Sequence, residues 1–216
     1  RDNFYADPSK ICVIYNPTVS AHLLTHSRKS KNRELLNPDV VNLVSVGRLV
    51  YQKDQETLLR AFRELVDIRK VHLTIIGEGE DRGELEMLTA NLVLGAHVTF
   101  KGAILDPYPY IRSADIFVLS PRFEGLGNVF IEAIALGTPV ISTDCPSGPR
   151  EILMNGKAGI LVPVGDIFAL KNALLAYVDN MSLRDQHLQY GSLYSVPRFT
   201  TASVKRNFED LLGSLQ

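Results

Sequence analysis

Val41-Asn-Leu-Val-Ser-Val46, with Gly47 directly behind it, decides how the chain folds. Four of the six residues are aliphatic. That is too apolar for a strand with one face in water, and it suits a strand covered on both sides. Leu58, Phe62 and Leu65 then fall on one face of a helix, for which Asp54 is the natural N-cap. Val71-His-Leu-Thr-Ile-Ile76 repeats the strand and ends at Gly77. A strand, a helix and a second buried strand within so short a stretch spell a parallel crossover.

Downstream the alternation continues. A charged helix runs through Leu85, Leu88 and Leu92, and His97-Val-Thr-Phe100 is a short strand ending at Gly102. Asp115-Ile-Phe-Val-Leu119, Pro139-Val-Ile-Ser142 and Gly159-Ile-Leu-Val162 are three more strands. Helices follow from Asn128 to Leu136, from Pro149 and from Asp166. The expectation is an α/β domain with a parallel sheet of about six strands and helices on both faces. In open sheets of this class ligands bind at the carboxyl ends of the strands, so the loops after Val46, Ile76, Phe100, Leu119 and Ser142 are the places to search.

Upstream, Ile11-Cys-Val-Ile-Tyr15 reads as a short β-like run, and residues 18–39 as a connector with one helical turn. At the far end Thr200 or Thr201 caps a last helix whose apolar stripe is Val204, Phe208, Leu211, Leu212 and Leu215. We divide the chain into residues 1–39 as hinge or linker, 40–196 as the main domain, and 197–216 as a helix free to pack on another domain. A stand-alone module would instead pack that helix on its own sheet.

Composition narrows the function. The chain has 216 residues, 45% hydrophobic and 22% charged, with a formal net charge of -1, as in an ordinary globular protein. Nothing marks a nucleic-acid surface; the run Arg28, Lys29, Lys31, Arg33 is short and reads as a solvated face. Cys12 and Cys145 read as small buried hydrophobes in a reducing compartment. No stretch has the length of a membrane span. The five histidines (His22, His26, His72, His97, His187) look scattered, without ligand spacing, and Asp-x-Asp is absent, so a carboxylate-held metal diphosphate is not supported.

The strongest chemical signal is Glu124-Gly-Leu-Gly-Asn-Val-Phe-Ile-Glu132. Gly125 and Gly127 allow backbone to approach a ligand, and the first N–H groups of the helix after them suit a phosphate. Glu132 is the one charge in an otherwise apolar helix, where a bare carboxylate would cost several kcal/mol. Its two oxygens suit a vicinal diol such as that of ribose; an internal salt bridge is the competing reading. Glu124 alone would pass for a surface residue. A second signal is Gly47-Arg48-Leu-Val-Tyr-Gln-Lys53, where Arg48 and Lys53 stand ready for a diphosphate or are simply solvated. Gly77-Glu-Gly-Glu-Asp-Arg-Gly83 misses the dinucleotide fingerprint: its third glycine is one residue late. We read it as a tight turn into the charged helix.

These pieces occur in a familiar order. Residues 15–162 resemble the C-terminal domain of the GT-B retaining glycosyltransferases of family 4. The match rests on Tyr15-Asn-Pro17, Val46-Gly-Arg-Leu49 with Gln52-Lys53, Ile76-Gly-Glu-Gly79, Phe100-Lys-Gly102, the Glu124-to-Glu132 segment, Leu136-Gly-Thr-Pro-Val140 and Asp144-Cys-Pro-Ser-Gly-Pro-Arg-Glu-Ile-Leu153. The last string is similar to the branch that builds capsular, exopolysaccharide and lipopolysaccharide glycans.

The resemblance implies a Rossmann-like three-layer domain, one half of a GT-B fold. It implies that Glu124 contacts donor-sugar hydroxyls, Glu132 the ribose, and Arg48 and Lys53, beside Gly47, the diphosphate. Backbone at Gly125, Leu126, Gly127 and Asn128 would assist, and the base would lie by Phe100, Lys101 and Gly102. It implies retaining transfer without a metal cofactor, from a nucleotide sugar, with uridine as the family's usual base. The acceptor site and a histidine near the reaction centre would belong to an N-terminal domain, as would any membrane contact. The expected setting is the cytoplasm, at the inner membrane face if at a membrane at all. Many relatives carry proline where this chain has Gly127. Nucleotide-sugar epimerases share the fold; the Asp144-to-Leu153 string and the Gly47-to-Lys53 loop favour the transferase.

Overall fold

The computed structural model describes residues 11–213. Six parallel strands form one sheet: β1 (Val41–Val46), β2 (Val71–Ile76), β3 (Val98–Phe100), β4 (Ile116–Leu119), β5 (Val140–Thr143) and β6 (Ile160–Val162). Their order is β3-β2-β1-β4-β5-β6. The chain therefore winds outward in one direction from β1, then returns beside β1 and winds outward in the other. The loops after β1 and β4 lead to helices on opposite faces of the sheet at this switch, the place where open sheets of this class bind ligands.

The α-helices are α1 (Ala21–Ser27), α2 (Gln55–Val66), α3 (Arg82–Asn91), α4 (Tyr108–Ser113), α5 (Asn128–Ala135), α6 (Pro149–Ile152), α7 (Ile167–Asp179), α8 (Met181–Tyr190) and α9 (Thr201–Gly213), with short 3-10 and π turns between some of them. The period-2 alternation of each strand divides the apolar residues between two cores. Leu43, Val118 and Ile141 face α2 and α7, with Phe62, Leu65, Leu174 and Tyr177. Val44, Phe117 and Val140 face α4 and α5, with Ile111, Phe130 and Ile134. Both faces are covered, as the near-continuous aliphatic strands require. Val19 and Leu23 are buried in the second core, so the segment before β1 is part of the packing.

Four local readings are corrected. Ile11-Cys-Val-Ile-Tyr15 is not a strand: Ile11 and Val13 are exposed, and only Tyr15 docks, its ring 4.9 Å from that of Phe199. Cys12 lies in the same stretch and is exposed, while Cys145 is buried as expected. The connector holds a seven-residue helix, α1, capped by Ser20 through Leu23 N–H at 3.2 Å, rather than one turn. Asp54 occupies the N-cap position of α2 but makes no cap bond. Its φ of 49° turns the carboxylate away, to accept from Thr57 Oγ1 and Arg122 Nη2, both at 2.8 Å.

Asp166 and Thr200 do cap α7 and α9, through Ala169 N–H at 2.8 Å and Ser203 N–H at 3.2 Å. On α9 Val204 is buried, Phe208 and Leu212 are exposed and Leu211 is half-buried; Leu215 lies outside the described residues.

Candidate functional site

The switch point gathers the two strongest sequence signals. The loop after β1 carries Gly47 to Lys53, and the loop after β4 carries Ser120 to Gly127. Ladder bonds set these loops side by side, since Leu43 and Val44 pair with Ile116 and Phe117. Three further contacts lock them: Arg122 N–H to Gln52 O at 2.8 Å, Gln52 Nε2 to Phe123 O at 3.0 Å, and Ser120 Oγ to Asp54 O at 2.7 Å. Arg122 also lies over the Tyr51 ring, 4.5 Å from its centre. Residues distant in sequence are thus held on backbone that cannot drift apart.

Within this frame Lys53 Nζ donates to Glu124 Oε1. Both side chains are nearly out of solvent, at 13% and 7% exposure, so each ion offsets the desolvation cost of the other. Gly47 flanks them: a Cβ there would rest 3.7 Å from the Lys53 stem. Arg48 is exposed, its guanidinium 3.5 Å from Gln52 Oε1. The two cations expected to act together thus differ, Lys53 being engaged and Arg48 presented to solvent.

The Gly77-to-Gly83 string has a structural explanation. Leu49 N–H donates to Glu78 O and Asp81 N–H to Leu49 O, so the β1 and β2 loops run in contact. A Cβ on Gly77 would lie 1.9 Å from Gly47 O, so this glycine serves the approach of two loops.

Gly127 leads into α5 at φ 82°, and among the described residues no side chain caps the helix. Phe130 N–H is taken by Gly127 O at 3.0 Å, which leaves the N–H groups of Asn128 and Val129 as the ones an anion could use. A Cβ on Gly127 would lie 3.8 Å from the Glu124 carboxyl carbon and 2.7 Å from the Phe130 ring. The Glu124 carboxylate therefore sits beside the positive end of α5. Proline cannot adopt this φ, so this entry to α5 is one that proline at the same position would not permit.

Glu132 sits one turn further along α5, half-buried. Tyr108 Oη donates to its Oε1 at 3.4 Å. Burial raises the Glu132 pKa, and the Tyr108 hydrogen bond partly offsets the rise. Tyr108 itself is pushed up to about 12, by burial first and then by the negative charge of Glu132. The two expected site carboxylates are thus on one loop–helix unit but answer to different partners.

Phe100, Lys101 and Gly102 stand apart from this centre, after β3, two strands from β1. Lys101 N–H donates to Ile75 O, and Gly102 O accepts from Gly77 N–H, both at 2.9 Å. The loop after β5 braces the other side, with Glu124 N–H 3.5 Å from Pro146 O. A cleft of about 780 Å³ opens there, lined by Gly125, Asp144, Cys145 and Arg150 among others. Hydrogen bonding to Arg150 holds the Asp144 carboxyl below the usual carboxylate range.

Sequence reasoning missed several participants. The Asp54–Arg122 pair left no signal, because its residues belong to separate loops. Tyr108 lay in a stretch where Pro107 and Pro109 hide helical periodicity. The histidines were misread: His22 and His26 are one turn apart on α1, and Asp106 stands 3.7 and 3.2 Å from their Nε2 atoms. The i, i+4 spacing was legible; the third group was not.

Comparison with known proteins gives the family and supports the fold. The family described as Glycosyl transferases group 1 matches residues 26–192. A lipopolysaccharide core biosynthesis glycosyltransferase of Rhizobium meliloti is 34% identical over 176 residues, covering 82% of this chain and 51% of that protein. A capsular polysaccharide biosynthesis glycosyltransferase of Staphylococcus aureus is 33% identical over 194 residues, covering 86% and 49%. The chain thus spans about half the length of these relatives.

A glycosyltransferase structure from Rickettsia africae superposes with a TM-score of 0.86 at 19% identity, over 100% of this chain and 60% of that one. The Anabaena HepE structure in complex with UDP gives 0.78 at 19% identity, over 93% and 56%. These likenesses support the fold, which fits the C-terminal half of the GT-B architecture. No helix among the described residues is long and apolar enough to cross a membrane. By the motifs in its loops and by its relatives, this chain belongs to the glycosyl transferases group 1 family.

Proposed function

We propose that the chain is the donor-binding half of a retaining transferase that moves a glycosyl group from a nucleotide sugar to a glycan or lipid-linked acceptor. The observation that carries this reading is the buried Lys53–Glu124 contact between the β1 and β4 loops, with Arg48 of the same β1 loop exposed. A diphosphate entering there meets Arg48 first. It then shares the ammonium of Lys53, whose three donors can serve a phosphate and Glu124 together. Negative charge that develops on the leaving diphosphate is stabilised by the same two cations, without a metal.

Glu124, held by Lys53, offers its free oxygen to donor-sugar hydroxyls. Backbone at Gly125, Leu126, Gly127 and Asn128 completes the anion cradle at the start of α5. Glu132 accepts from the ribose diol. The base lies along Phe100, Lys101 and Gly102, whose backbone is fixed by the bonds of Lys101 N–H to Ile75 O and of Gly77 N–H to Gly102 O. The acceptor comes from a further domain, on which the exposed Phe208 and Leu212 of α9 would pack. On this reading the chain by itself binds donor and turns nothing over, and it works in the cytoplasm. Uridine is the first base to test, given the UDP held by the HepE structure.

Titration calorimetry with UDP, GDP and ADP tests the proposal. Binding of one of them, weakened in Lys53→Met and Glu132→Gln chains, is expected. A folded chain that binds none of the three overturns it.

A further inference from the structure

α1 projects His22 and His26 from one face, because residues four apart stand above one another on a helix. The loop after β3 brings Asp106 to the same spot, just ahead of Pro107 and α4. Asp106 Oδ2 is 3.2 Å from His26 Nε2 and 3.7 Å from His22 Nε2, and ligand atoms of all three residues lie within 4.8 Å of one another. Bonds of about 2.0–2.1 Å to a tetrahedral zinc ion place its ligand atoms roughly 3.3–3.4 Å apart. Two edges of the cluster are already close to that length.

A plain hydrogen-bonded pair does not account for this arrangement. The His26 contact suffices for one carboxylate oxygen, while 3.7 Å to His22 is too long for a hydrogen bond. Yet the His22 ring is held against that of His26, centroids 4.9 Å apart, with its Nε2 turned to the same oxygen.

We propose that His22, His26 and Asp106 form a site for one divalent cation of the zinc class, with a fourth position open to water. Two imidazoles and one carboxylate suit zinc; magnesium and calcium call for oxygen ligands throughout. Burial is graded to match. The His26 side chain is 10% exposed and anchors the site, Asp106 is 38% exposed, and His22, at 64%, closes it from the solvent side.

The Tyr108 ring lies 5.7 and 5.8 Å from the two imidazoles, and its hydroxyl reaches Glu132. A bound cation therefore ties α1 to the entry of α4 and fixes the tyrosine on which Glu132 leans. Its role is positional, and it stands on residues other than those assigned to the donor.

The test uses the tag-free chain in a Cys12→Ser background, which removes an exposed thiol that would compete for soft metals. Zinc is titrated calorimetrically, and cobalt as a spectroscopic stand-in. One ion per chain is expected, with a tetrahedral cobalt spectrum and a melting temperature raised by zinc. His22→Ala should weaken binding about tenfold or more, and since His22 is exposed this variant melts normally in chelator. Asp106→Asn should remove the tetrahedral spectrum. Equal zinc affinity in the parent and His22→Ala chains overturns the site, and so does a cobalt spectrum that Asp106→Asn leaves unchanged.

Discussion

Glu124 and Glu132 lie eight residues apart on one loop–helix unit, and the fold treats them in opposite ways. Glu124 meets a full positive charge, Lys53, from the loop after β1. Glu132 meets a neutral phenol, Tyr108, from the α4 side. The first carboxylate is compensated before any ligand arrives, while the second carries part of its burial cost uncompensated. Removing a partner of Glu124 should therefore act on stability as well as on binding, whereas changes at Glu132 should act on ligand affinity and pH response alone.

The largest effect is expected from Lys53→Met. It leaves Glu124 buried and unpaired, which costs about 3 kcal/mol; for a chain of this size that is a melting temperature roughly 6–12 °C lower. Adding Glu124→Leu should recover most of the loss, since replacing both ions spares the desolvation of either. The measurement is a double-mutant cycle by thermal or urea unfolding. If the double variant is no more stable than Lys53→Met, the pair is not what holds the two loops together.

Next in size is Glu132→Gln. An amide cannot accept from both hydroxyls of a diol with both of its heavy atoms, so hydrogen bonds to a charged acceptor worth about 1.5–3 kcal/mol are weakened. Nucleotide affinity should fall roughly ten- to hundredfold, while stability at neutral pH stays level or rises because a buried charge is gone. Calorimetric titration beside an unfolding curve separates the two. Equal losses in both would place Glu132 in the structural class of Glu124.

The fold was far more legible in the sequence than this contrast. Strands such as Val41-Asn-Leu-Val-Ser-Val46 declare themselves because both faces are buried and aliphatic residues fall on both. Glu132 was legible for the converse reason, as the single charge in α5. Glu124 drew its role from the surrounding motif, and its partner could not be read locally: Lys53 becomes a neighbour only because β4 returns beside β1. Tyr108 was illegible, since two prolines mask α4. Asp54 misled because its type fits an N-cap while its left-handed backbone aims the carboxylate at Arg122. Local pattern gives the elements; the site depends on which loops the strand order brings together.

The pH response gives the contrast a sign. The folded chain binds a proton at Glu132 more tightly than the unfolded chain does, because its pKa is raised chiefly by burial. The unfolded state therefore holds fewer protons across the window from the ordinary carboxylate value up through the raised one, and stability falls as pH rises through it. Nucleotide binding should run the other way, since the ribose is held by the ionised form and binding is lost as pH falls through the raised value. Glu132→Gln should flatten both slopes relative to the parent chain, as read by unfolding and titration across the same pH series. A parent and variant with parallel profiles would show that Glu132 does not titrate at the site.

The smallest effect, and the finest test, is Tyr108→Phe. The 3.4 Å contact is long, so its loss should cost about 0.5–1 kcal/mol of stability at most. The ring keeps its packing against His22 and His26, so the fold is preserved. What should move is the pH at which nucleotide binding fades. The Tyr108 hydrogen bond holds the Glu132 pKa down against burial, so without it that pKa climbs further and the acid limb of the binding profile shifts to higher pH. Affinity well above that limb should be nearly unchanged. A loss of affinity that is the same at every pH would mean that Tyr108 touches the ligand itself. An unmoved limb would mean that burial alone sets the proton affinity of Glu132, and the contrast between the two carboxylates would then reduce to the presence or absence of Lys53.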